Sequence, residues 1–94
     1  MCRGLLLVAA TAIGMGLGTG AEAADRAYCD QYAKATLNQV RIVLSNQKCT
    51  AGAQGQRWSA EYHVHYDWCL ENSYGTSGTE RDSRTAYIKS CTGQ

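Results

Sequence analysis

Proline and phenylalanine are both absent from the 94 residues. Without proline, breaks in helical stretches fall to glycine and to clusters of small polar residues. Without phenylalanine, the bulky apolar load rests on two tryptophans and six tyrosines. These side chains carry polar tips, and they suit small, partly wet cores as well as binding surfaces. No Cys-x-x-Cys pair occurs, which disfavours a zinc knuckle. No apolar run reaches the roughly 20 residues of a spanning helix. The net charge is only +1 with the signs interleaved, which argues against a nucleic-acid surface and a basic membrane-surface helix. No pair of alternating apolar segments is present from which to build a sheet.

What is present begins with a leader. Met1-Cys2-Arg3 is basic, Leu5 to Leu17 is apolar, and Ala21-Glu22-Ala23 has the small-x-small form of a signal-peptidase site. Residues 1–23 are therefore expected to be a cleaved signal peptide and residues 24–94 a single exported domain, periplasmic or secreted, with no membrane insertion after cleavage. A domain of that length buries only about 60% of its unfolded surface, so a covalent staple is expected. The four cysteines beyond the leader, Cys29, Cys49, Cys69 and Cys91, supply two disulfides.

Three helices are expected. Asp25 to Asn46 has no glycine, Asp25 is a suitable N-cap, and Cys29, Ala33, Leu37, Val40 and Leu44 form an apolar stripe. Gln47 to Gln56 reads as a loop. Gly52-Ala-Gln-Gly55 is not a phosphate loop, because no Lys-Ser/Thr follows its last glycine. A second helix is expected from Trp58 to Leu70, with Trp58, Tyr62, Tyr66 and Cys69 on one core face at spacings of four, four and three. Asn72 to Gly78 reads as a turn. Thr79 then caps a third helix from Glu80 to Ser90, with a Glu80–Arg84 ion pair one turn apart and Tyr87, Ile88 and Cys91 inward.

The fold class is therefore all-α, a three-helix up-down-up bundle. In one continuous first helix Cys29 and Cys49 stand about 30 Å apart at 1.5 Å per residue, too far for a bridge. A bundle that returns on itself pairs Cys29 with Cys69 and Cys49 with Cys91.

Candidate chemistry is sparse. His63-x-His65 places its rings about 200° apart on a helix, so the two do not share an ion. His63 has Asp67 one turn on, and His65 has Glu61 one turn back, which are ordinary helix-surface pairs. His63, His65 and Asp67 are weak metal candidates. Trp68, off the core face and near Glu61 and His65, is the candidate partner contact. No nucleophile with an oxyanion site stands out, so no catalytic residue and no cofactor are assigned.

Tyr28-Cys29-x-x-Tyr32-Ala33, Cys49, Gly55-x-Arg57-Trp58, Tyr62-x-x-His65-Tyr66-x-Trp68-Cys69 and the last cysteine together resemble an uncharacterised family of small exported proteobacterial proteins. The resemblance spans most of residues 24–94 and implies one small exported domain without implying an activity. Cys49-Thr50 departs from the family's Cys-Gly at that point. The expected function is non-covalent binding of a protein or cell-envelope partner rather than catalysis. The alternative is a periplasmic metal-binding protein using His63, His65 and nearby carboxylates.

Overall fold

A computed structural model of the chain describes residues 22–93. The expected leader, including Cys2, lies outside them except for Glu22 and Ala23. The described residues are mostly helical and form no strand, only an isolated bridge between Ala23 and Ser73.

Helix α1 spans Arg26–Leu44. Asp25 caps it, its carboxylate accepting from the Tyr28 amide at 2.8 Å, which satisfies one of the free amides of the first turn. The buried face is Cys29, Tyr32, Ala33, Thr36, Val40 and Val43. This is the expected stripe rotated by about one residue: Leu37 is half-buried and Leu44 is 57% exposed. The rotation follows from Tyr32 and Thr36, whose polar atoms face a buried arginine on the last helix.

The expected loop after α1 contains a one-turn helix, α2, Gln47–Thr50, which carries Cys49 inward. Gly52 then lies against Tyr87: a Cβ there would stand 2.5 Å from the phenol oxygen. That oxygen donates to the Cys49 carbonyl. Gly55, at φ +85°, turns the chain into a 3-10 turn, Gln56–Trp58, in a conformation that favours glycine.

Helix α3 spans Tyr62–Leu70, so it begins four residues later than the spacing predicts. Trp58 is buried, but it sits in the 3-10 turn and shares no helical face with Tyr62. Extended backbone at Ser59 separates the two. Helix α4 spans Tyr74–Thr92 and starts well before the expected Thr79 cap. The cap is Ser73, whose hydroxyl accepts from the Thr76 amide at 3.0 Å. The glycines at 75 and 78 are carried inside the helix because its first turns are held from outside. Tyr28 donates to the buried Ser77 hydroxyl at 3.1 Å, and Tyr74 donates to Asp25 at 2.8 Å. Tertiary bonds here outweigh a propensity cost of about 1 kcal/mol per glycine. The described residues thus hold four helices, not the three expected.

Both expected disulfides are present, Cys29–Cys69 with Cα atoms 5.5 Å apart and Cys49–Cys91 with Cα atoms 5.2 Å apart. Each lies in its own apolar cluster. One holds Ala24, Cys29, Tyr32 and Cys69, backed by Tyr28, Tyr66, Trp68 and Leu70. The other holds Val40, Val43, Cys49 and Trp58, backed by Ala53, Tyr87, Ile88 and Cys91. Thr36 separates the two along α1.

Trp58→Ala is expected to lower the unfolding free energy by about 3 to 5 kcal/mol, and Trp68→Ala clearly less, because Trp68 is only half-buried. Urea unfolding of the oxidised protein measures both; equal losses would mean that the two tryptophans carry the same packing.

Candidate functional site

The residue that organises the middle of the molecule is Arg84. Only 1% exposed, it is the largest fully buried side chain among the described residues, and a buried charge is costly unless it is paired and hydrogen-bonded. Its Nε donates to the Gln39 side-chain amide oxygen, Oε1, at 2.8 Å. Its Nη2 donates to the Tyr32 hydroxyl at 2.9 Å and the Thr36 hydroxyl at 2.8 Å. Its Nη1 donates to Glu80 at 3.4 Å. The guanidinium also lies 5.2 Å from the Tyr32 ring centroid, within cation–π range. The expected helical Glu80–Arg84 ion pair is present, with the arginine buried and the glutamate half-buried.

Glu80 is shared. Arg57, on the 3-10 turn, grips the same carboxylate through Nε and, at 2.9 Å, through Nη2. This two-pronged geometry is the strong form of an Arg–carboxylate pair. The Arg57 bond holds the Glu80 carboxyl below the usual carboxylate range, aided by the charges of Arg57 and Arg84.

Beside this network lies a cleft of about 170 Å³ lined by Tyr32, Gln56, Arg57, Val64, His65, Trp68, Glu80 and Arg84. Trp68 stacks on Tyr32 with centroids 5.9 Å apart and planes at 25°. A shallower depression adjoins it and shares Trp68 and Glu80, continuing along Ser73, Gly75, Thr76 and Thr79 at the start of α4.

His65 is 3% exposed, not a surface residue. Its Nε2 donates to the Ser59 carbonyl at 2.7 Å, which ties α3 back to the segment preceding it. Burial pushes its pKa down, and the Arg84 charge adds to that. Its ring is therefore neutral at pH 7. With two guanidiniums, one carboxylate and a neutral imidazole, the cleft carries one positive charge in excess.

The structure brings Trp68 and His65 together in this cleft and leaves Glu61 outside it. Glu61 is exposed at the N-cap of α3, without a capping bond. His63 is exposed, with its ring edge-on to Tyr62, and Asp67 is exposed. The weak metal candidates therefore do not converge, and among the described residues no group of three or more His, Cys, Asp or Glu is placed to hold an ion. Tyr62 and Tyr66, expected in the core, are half-buried and stacked at 5.5 Å. Tyr62 donates to Asp30, and that bond pushes its phenol up to about 12. Arg57, Glu80, Arg84, Tyr32 and Gln39 were not singled out by spacing as site residues. Their marks in the sequence are the Glu80–Arg84 interval and the places of Tyr32 and Arg57 in the quoted pattern.

Comparison with protein-family models, curated proteins and solved structures finds no match to the chain. Among the described residues no helix is long and apolar enough to cross a membrane.

Arg84→Ala is expected to cost about 3 to 5 kcal/mol of stability, because it strands the buried partners of a charge. Arg84→Lys should restore only part of this, since one ammonium cannot reproduce a planar fork. Urea unfolding checks both, and full rescue by lysine would mean that charge alone matters.

The acid sensitivity has a definite sign. His65 titrates lower in the folded state than its ordinary 6.5, so the unfolded chain binds more protons and stability falls as pH drops through about 6.5. Glu80, lowered from 4.5, adds a further loss as pH falls through its folded value. Urea unfolding between pH 7.5 and 5.5 should show the decline, and His65→Gln should flatten it.

Proposed function

We propose that this protein is a small exported domain that binds a protein or cell-envelope partner non-covalently, using the cleft beside Trp68, and that it is not an enzyme. The observation that carries this reading is Trp68 itself. It is half-buried, stacked on Tyr32, and common to two adjoining depressions. Tryptophan and arginine together are the side chains most enriched where binding energy concentrates, and Arg57 stands on the same cleft. The lining offers aromatic faces and hydrogen-bond donors, with no Ser, Cys or Lys among its side chains.

Export is supported by the two disulfides, which persist in oxidising compartments, and by the leader pattern over residues 1–23. Membership of the small exported proteobacterial family is part of the same reading. So is an up-down-up course of α1, α3 and α4, which is supported by the Tyr74–Asp25 bond between two helix starts and by Cys69 lying against Cys29.

The test is chemical crosslinking of the oxidised protein to envelope extract, with the captured proteins identified for wild type, Trp68→Ala and Ile42→Ser. Ile42 is exposed and lies outside the cleft. One captured protein should be lost with Trp68→Ala and kept with Ile42→Ser. A set unchanged by Trp68→Ala would overturn the reading.

A further inference from the structure

Arg84 makes four hydrogen bonds among the described residues, and a guanidinium carries five N–H groups. The remaining donor is on Nη1, on a side chain that lines the cleft and is 1% exposed. A buried donor left without a partner is a cost that a ligand can remove. Arg57, exposed on the same cleft, also has donors to spare. It spends Nε and Nη2 on Glu80 and makes no hydrogen bond through Nη1 among the described residues. Two guanidiniums thus keep Nη1 donors in reserve, in a cleft whose charge is one unit positive after Glu80 is counted.

The shape narrows the ligand further. A volume of about 170 Å³ is below the roughly 300 Å³ at which sites for drug-sized molecules begin, so the cleft takes about one residue. Trp68, Tyr32 and Val64 provide apolar walls. The second depression leads away past Trp68 over Gly75, Thr76 and Thr79. Its small side chains leave room for a backbone to lie across the start of α4.

We propose that the cleft recognises the C-terminal end of a peptide chain, its carboxylate held by Arg57 and Arg84 and an apolar last side chain seated against Trp68, with the preceding residues crossing the first turns of α4. This deepens the binding reading above and rests on it. Positioning falls to Gln39, Tyr32 and Thr36, which lock the Arg84 fork so that little freedom is lost on binding.

The experiment is an NMR titration of the ¹⁵N-labelled, oxidised protein, following the Trp68 indole N–H and the Arg57 and Arg84 Nε–H signals. The probes are acetylated tripeptides of two glycines followed by leucine, valine or phenylalanine, each as the free acid and as the C-terminal amide, with isovalerate as a small acid. At least one free-acid peptide should give saturable shifts at all three signals, while its amide binds at least tenfold more weakly. Arg57→Gln should weaken the acid at least tenfold while changing the amide less than twofold, and Arg57→Lys should recover only part of the acid's loss. Arg57 is chosen because it is half exposed, whereas an Arg84 variant risks unfolding. Raising salt should weaken the acid and leave the amide unchanged.

Equal binding of acid and amide would overturn the carboxylate assignment and leave the binding cleft standing. Isovalerate matching the peptide would overturn the peptide end in favour of a small acid. No shift with any probe would overturn this inference, whereas the broader reading fails only if capture of the partner ignores Trp68→Ala.

Discussion

The burial of one guanidinium organises this molecule. Taking Arg84 out of water is tolerable only because α1 presents Tyr32, Thr36 and Gln39 in register on one face and because Glu80 stands one turn before it on its own helix. These demands fix the rotation of α1 and the height of α4 against it. They also divide the interior into two apolar clusters, each closed by a disulfide. Glu80, held by Arg84, is what the 3-10 turn reaches for through Arg57. The cleft is the space left where that network meets Trp68.

The lack of phenylalanine has a structural counterpart. Tyr28, Tyr32, Tyr62, Tyr74 and Tyr87 each use the hydroxyl to join segments distant in sequence, reaching Ser77, Arg84, Asp30, Asp25 and the Cys49 carbonyl. In a core this small, rings with polar tips serve as packing and as latches together. The latches at Tyr28 and Tyr74 hold the glycine-containing start of α4 helical. The one at Tyr87 seats α2 and brings Cys49 to Cys91.

The same economy governs the candidate site. A buried arginine surrounded on three sides is rigid, and rigid donors bind with less loss of freedom than flexible ones. Arg57, half exposed, supplies the accessible part of the same charge. Buried His65 is neutral and fastens the Ser59 carbonyl, so it supports one wall without adding charge to it.

Helical class, the first helix with its Asp25 cap and both disulfide pairings were legible in the sequence, because each depends on local spacing or on the distance a helix spans. The limits of the other helices were not. Trp58 fits the four-residue rhythm of Tyr62 and Tyr66, yet burial with Val40, Val43 and Cys49 draws it into a separate turn. Tyr74 to Gly78 looks like a turn by propensity, yet hydrogen bonds from α1 make it helix. Glu80 and Arg84 were visible as a pair four apart, but spacing on one helix is the same for a solvated pair and a buried one. Only the tertiary packing decided that Arg84 is buried, that Glu80 is shared with Arg57, and that Trp68 stands at a charged cleft, because each needs partners more than ten positions away in the chain.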